Sequence, residues 1–120
     1  MKKKIMIVED ETIIARDLKQ LLQGEGYEIQ SIEDSAENAM AKIKLEKPDL
    51  VLIDIQLFGK MDGIKLSEEI ARIDHIPVIY VTAYSEKEVI DRAMKTKPIA
   101  YIMKPILDED LVDAVKDALK

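Results

Sequence analysis

Cysteine and tryptophan are both absent from this 120-residue chain, and phenylalanine and histidine each occur once. Without cysteine there is no disulfide framework, thiolate zinc site, iron–sulfur cluster or cysteine nucleophile. The shortage of large aromatic rings argues against a stacking platform for single-stranded nucleic acid. There are only four glycines, and they build no phosphate loop. Gly24-Glu25-Gly26 closes a helical pattern instead of opening one and lacks a third glycine at the required spacing, and no Gly-x-x-x-x-Gly-Lys run exists. Long apolar runs are missing too. Leu50–Ile53 and Ile76–Val81 fall far short of the roughly 20 residues that span a bilayer. Lys2-Lys3-Lys4 before Ile5–Val8 has the charge of a secretion signal, but the apolar stretch is short and Glu9, Asp10 and Glu11 end it. With no such address, a cytoplasmic location is expected. Positive charge is in deficit: 18 Lys+Arg against 24 Asp+Glu give −6. Such a field repels phosphate backbones and anionic lipid, so neither direct nucleic-acid binding nor membrane binding is expected, and partners should be proteins.

What remains is a globular balance, 48% hydrophobic and 35% charged. The length fits a single domain, residues 1–120, large enough for one real core. Ile5–Val8 and Leu50–Ile53 are continuous apolar runs, as in strands buried on both faces. Between them, Ile14, Leu18, Leu21 and Leu22 mark one face of a helix over 12–23, which Gly24 and Gly26 stop. A short strand over 28–32 and a helix opened by Ser35 follow. Further on, Ile64, Ile70 and Ile73 predict a third helix, and Val78–Val81 a strand. Ser85-Glu86-Lys87-Glu88 has the form of a capping box, with Val89, Ile90, Ala93 and Met94 as its helix face. Ala100–Met103 is a last strand, and Leu107, Leu111, Ala114, Val115 and Ala118 predict a final core-facing helix. Met40, Met94 and Met103 read as core filler, and His75 as a loop residue. Five strands alternating with five helices predict an α/β fold with a doubly wound, five-stranded parallel sheet and helices on both faces.

Ligands of such sheets bind at the C-terminal strand ends. Those ends hold Glu9 and Asp10 (first strand), Asp54 (third), Thr82 (fourth) and Lys104 (fifth), amid positions that are otherwise Ile, Leu and Val. Clustered carboxylates repel one another unless a cation offsets them. Lys104 is one such cation, and a hard divalent ion is another, Mg²⁺ being suited to carboxylate, water and phosphate oxygens. A site of this kind fits a phosphoryl group, with a carboxylate as nucleophile.

Val8-Glu9-Asp10, Leu52-Ile53-Asp54, Val81-Thr82-Ala83 and Tyr101-Ile102-Met103-Lys104-Pro105, with Met61-Asp62-Gly63 before the third helix, resemble the receiver domain of two-component response regulators, the CheY-like family. The resemblance runs from Lys4 to Lys120. It implies strand order 2-1-3-4-5 and Mg²⁺-dependent transfer of phosphoryl from a histidine kinase to Asp54, which switches the face made by the fourth helix, fifth strand and fifth helix. It implies Glu9, Asp10, Asp54 and the backbone carbonyl of Gln56 as the metal site, for Mg²⁺ or Mn²⁺. It further implies Lys104 on the phosphoryl oxygens, Thr82 and Tyr101 as switch residues, and a cis bond before Pro105. The partners implied are a sensor histidine kinase or phosphotransfer protein, a downstream protein target or fused output domain, and a phosphorylation-linked homodimer.

Two features depart from the family pattern. The segment from Asp54 to Gly63 spans nine positions and reads Gln56-Leu57-Phe58-Gly59-Lys60, where many relatives span eight and carry a proline, so its shape is expected to differ. Tyr84, two residues after Thr82, is bulky enough to obstruct an attacking water, which favours slow self-hydrolysis. Two other functions fit the residues less well. A Mg²⁺-dependent phosphohydrolase with an aspartate nucleophile needs a second acid two positions on, where Gln56 stands. A receiver-like interaction module that is never phosphorylated has little use for three clustered acids and a lysine. The switch is expected to be a signalling device and not a turnover enzyme. The sequence stops after the fifth helix, so a stand-alone regulator and a fragment of a longer protein both fit.

Overall fold

The computed structural model describes residues 2–120. Its elements are β1 (Lys4–Val8), α1 (Thr12–Gly24), β2 (Glu28–Glu33), α2 (Ala36–Leu45), β3 (Leu50–Ile53), α3 (Gly63–Ile73), β4 (Val78–Thr82), α4 (Lys87–Met94), β5 (Ala100–Met103) and α5 (Asp108–Ala118). The five strands form one parallel sheet in the order β2-β1-β3-β4-β5, as the resemblance implied.

The period-two alternation of strand side chains divides the core in two. Met6, Val8, Val51, Ile53, Val78 and Tyr80 point to one face and pack under α2, α3 and α4, against Ala39, Ile43, Ile64, Ile70 and Ala93. Ile5, Ile7, Leu50, Leu52, Ile79 and Val81 point to the other and pack under α1 and α5, against Leu18, Leu22, Leu111 and Val115. Burial on both faces is why β1, β3 and β4 carry unbroken apolar runs. Register then fixes the rim. Val8 is paired with Ile53, so the next residues, Glu9 and Asp54, emerge side by side, and Asp54 N donates to Val8 O at 2.9 Å. Thr82 is paired with Met103, and Lys104 N donates to Thr82 O at 2.9 Å.

The structure corrects several sequence expectations. Ser85 caps nothing. Helix α4 begins at Lys87 with Glu86 at its N-cap position, and no side chain closes that end. The Ser-x-x-Glu spacing is present, but Glu86 is still extended and the helix starts one residue later than that spacing requires. Leu107, Ile73, Met94 and Met103 also lie on the surface, with Leu107 63% exposed. Each sits at or beside the end of its element, where a periodic pattern carries on after the packing surface has stopped. Met40 does pack against the core, and His75 is exposed in the α3–β4 connection.

Candidate functional site

The C-terminal rim of the sheet brings together most of the side chains singled out from sequence. Glu9, Asp10, Glu11 and Asp54 each present a carboxylate oxygen, all within 4.8 Å of one another. Glu9 is only 3% exposed and Asp54 5%. Lys104 reaches across from the end of β5 to pair with them. Its Nζ lies 2.9 Å from Asp54 Oδ2, 2.7 Å from Glu9 Oε1 and 3.3 Å from Glu11 Oε1. The Lys104–Pro105 peptide bond is cis.

One ammonium against four carboxylates leaves the cluster strongly negative. Burial pushes the Glu9 carboxyl up from 4.5 to about 7, and the neighbouring Asp54 charge adds to this. Contact with Lys104 and the Glu11 N–H pull the other way without cancelling the shift. Burial by itself would lower the Lys104 ammonium, but Glu9 and Asp54 outweigh it and hold the amine above its ordinary value. Lys104 is therefore a fixed positive charge.

The donor set fits a hard divalent cation. All four candidate ligands are carboxylates, and Glu9 Oε1 is buried with no donor meeting it in hydrogen-bonding geometry, although Lys104 Nζ faces it. An orphaned, buried anionic oxygen inside a group of acids is the arrangement a small oxygen-seeking ion relieves.

Local backbone bonds hold the Asp54 and Glu9 carboxylates. Gln56 N donates to Asp54 Oδ1 at 3.2 Å, and Glu11 N donates to Glu9 Oε2 at 3.1 Å. The Asp54–Gly63 segment is pinned at both ends. Phe58 forms an isolated parallel bridge with Ser35, and Gly63 N donates to Ile55 O at 2.8 Å. At Gly63 a Cβ would sit inside the carbonyl oxygen of Asp54 and within 2.8 Å of Ile55 Cα. Only glycine lets α3 start that close to the end of β3.

Thr82 is 1% exposed, and its Oγ1 accepts from Tyr84 N at 3.4 Å. Tyr101 donates its hydroxyl to Tyr84 O at 2.8 Å, and its ring lies 6.0 Å from that of Tyr80. The backbone of Tyr84 thus touches both Thr82 and Tyr101. Gln56 lies beside Asp54 with its side chain exposed. Glu11 and Arg92 escaped the sequence reading. Glu11 completes the acidic run Glu9-Asp10-Glu11, a signal that was visible. Asp62 and Gly63 stand out in the sequence only as part of the Met61-Asp62-Gly63 match, and the Asp62–Arg92 pair (2.5 Å) and the close approach at Gly63 are revealed by tertiary contact.

Known proteins agree with this geometry. Residues 5–116 match the family described as the response regulator receiver domain. The transcriptional regulatory protein PdtaR of Mycobacterium tuberculosis is 35% identical over 98% of this chain and 57% of its own length. The transcriptional regulatory protein ZraR of Escherichia coli is 34% identical over 96% of this chain and 26% of its own. A CheY-like receiver domain protein from Methanospirillum hungatei superposes with a TM-score of 0.91 at 36% identity, covering 99% of this chain and 94% of that one. The chain belongs to the response regulator receiver family and is a receiver domain of two-component signalling. It spans little more than half of the first of these curated relatives and about a quarter of the second.

Proposed function

We propose that Asp54 is the phosphoryl acceptor of this receiver, with Lys104, Glu9, Asp10 and Thr82 as its working partners. The observation that carries the reading is the buried contact of Lys104 Nζ with Asp54 Oδ2 at 2.9 Å inside the acidic cluster. An Asp54 carboxylate oxygen attacks the donor phosphorus. The bond from phosphorus to its leaving group, imidazole nitrogen of a phosphohistidine or oxygen of an acyl phosphate, breaks with its electron pair, and Asp54 becomes an acyl phosphate. Glu9, Asp10, Asp54 and the Gln56 carbonyl would hold Mg²⁺, which when bound offsets negative charge on the phosphoryl oxygens. Lys104 supplies a second, permanent positive charge there. Esterification takes Asp54 out of its pair with Lys104 and replaces its single carboxylate charge by roughly two on the phosphoryl group, with new acceptor oxygens. The Thr82 hydroxyl, now facing only the Tyr84 N–H, gains a partner. Its movement passes through Tyr84 to Tyr101 and so to the surface made by α4, β5 and α5.

A cognate histidine kinase, and an output domain or protein target reading that surface, follow from this chemistry. So does a cytoplasmic setting, and no helix among the described residues is long and apolar enough to cross a membrane. A switch and not a turnover hydrolase is favoured, because Gln56 offers no acid beside Asp54. Incubation with acetyl phosphate and Mg²⁺ followed by intact-mass measurement tests the reading. One phosphoryl group is expected, with no uptake when EDTA is added beforehand and none in Asp54→Asn. Uptake by Asp54→Asn equal to that of the parent chain overturns the assignment.

A further inference from the structure

Helix α4 is weakly anchored in the core. Of its eight residues only Ala93 is buried, and no side chain caps its N-terminus. Polar ties therefore weigh more in its placement than they do for its neighbours. At its C-terminal end Thr96 donates to Ala93 O at 2.6 Å, so the buried Tyr80 hydroxyl donates to Thr96 Oγ1, at 2.7 Å. In its last turn, Arg92 Nη2 meets Asp62 Oδ2 at 2.5 Å. Asp62 is the N-cap of α3, and its other oxygen, Oδ1, accepts from Lys65 N at 2.8 Å. The next residue, Gly63, is packed against the Asp54 backbone. The two oxygens of Asp62 thus divide their work, one closing α3 and one holding α4.

Between α4 and the segment that leads into α3 lies a cavity of about 280 Å³ lined by Ile55, Gln56, Leu57, Asp62, Tyr84, Val89 and Arg92. Gln56 N touches Asp54 and Tyr84 N touches Thr82, so two of the residues lining the cavity also touch the site. Tyr84 lies three residues before α4 and shares the cavity with Val89 and Arg92 of that helix.

We propose that the Asp62–Arg92 pair is a positioning latch that holds α4 and Tyr84 over the acceptor and thereby prolongs the life of the phosphoryl group on Asp54. The proposal rests on Asp54 being the acceptor. The pair is half-exposed and contributes little to global stability, yet a modest bias suffices for a helix with one buried side chain. Asp62→Asn separates latch from cap, since the amide oxygen can still accept from Lys65 N while the charge facing Arg92 is gone.

Two measurements test the latch. Amide hydrogen exchange on the unphosphorylated chain is expected to quicken over residues 86–97 in Asp62→Asn and Arg92→Ala, with α3 unchanged. After loading with acetyl phosphate and Mg²⁺, phosphoryl decay is expected to run about two- to fivefold faster in both variants, no faster still in the double variant, and near the parent rate in Arg92→Lys. Unchanged exchange in α4 overturns the latch. Unchanged decay, or additive effects in the double variant, overturns its role at Asp54. A parent chain that takes up no phosphoryl defeats the acceptor reading instead, while hydrogen exchange still decides whether the latch exists.

Discussion

Helices α3 and α4 lie on the same face of the sheet, and the N-cap of the first and two side chains of the second line the same cavity, yet they are held in opposite ways. Helix α3 buries Gly63, Ile64, Leu66, Ser67 and Ile70, is capped by Asp62, and starts in backbone contact with the acceptor strand. Helix α4 buries Ala93 alone and hangs on an ion pair and a buried hydroxyl contact. The firmly packed helix follows the segment that leaves Asp54, and the lightly held one carries part of the surface we propose as the readout. A receiver needs both. The acids must stay close for the chemistry, whereas the readout needs an element whose alternative positions differ by little free energy.

The sharpest break of this contrast is at the start of α3. In an ordinary helix Gly→Ala stabilises by about 1 kcal/mol. At Gly63 the sign is expected to invert, because the added methyl meets the Asp54 carbonyl and the Ile55 Cα with nowhere to relax. A loss of about 3 kcal/mol is expected in Gly63→Ala by denaturant unfolding, and with it a slower uptake of phosphoryl as the acceptor strand end shifts. A stability gain in this variant would mean that α3 is no more firmly seated than α4.

A second test concerns charge on the firmly held side of the site. The Glu9 carboxyl stands at about 7 against 4.5. Because the folded value is the higher, the folded state binds more protons than the unfolded chain between these values. Glu9 therefore contributes stability below pH 4.5 that is lost as pH rises to about 7, the reverse of an ordinary paired carboxylate. Metal must displace that proton. The rise in Tm produced by millimolar Mg²⁺ is accordingly expected to grow between pH 5.5 and 8, with apparent affinity weakening up to about tenfold per unit below 7. Glu9→Gln should flatten this dependence in a thermal-shift titration. An equally steep profile in that variant would place the proton elsewhere.

The sheet and its rim were largely legible in the sequence because each is a local signal. Strands buried on both faces must be apolar throughout, so a charged residue ending such a run stands out, as Glu9, Asp54 and Lys104 do. Strand register then does the assembling, pairing Val8 with Ile53 and so delivering two acids that are far apart in the chain to one place. The order of the strands had to be borrowed from the family, since alternation alone does not rank them. What was not legible depends on where packing stops or on contacts between distant surfaces. The Ser85 capping box failed because α4 starts late, and Leu107 and Met94 continue a helical stripe beyond the core they were expected to join. Arg92 is unremarkable in sequence and Asp62 stands out only within Met61-Asp62-Gly63, and only the approach of α4 to the start of α3 turns them into a pair.

The smallest effect expected lies at the far end of α4. After the helix the chain turns through Lys97 at φ 57°, a left-handed conformation that favours glycine, and Lys97 N donates to Met94 O at 3.0 Å. A side chain there costs about 1–2 kcal/mol, and glycine recovers this less the extra freedom it gives the unfolded chain. Lys97→Gly is thus expected to stabilise by about 0.5–1 kcal/mol, read as a Tm increase of about 2–4 °C. Glycine belongs at the start of α3 for want of space and would be welcome at the end of α4 for want of strain. Because Lys97 is exposed, its replacement removes no core contact, so the gain comes from the backbone alone. If the turn also governs how freely α4 moves, relief of its strain should slow amide exchange at Thr96 and Lys97 while leaving exchange in α3 untouched. A Tm that falls in Lys97→Gly would show that the lysine side chain, and not the helix's polar ties, secures that end.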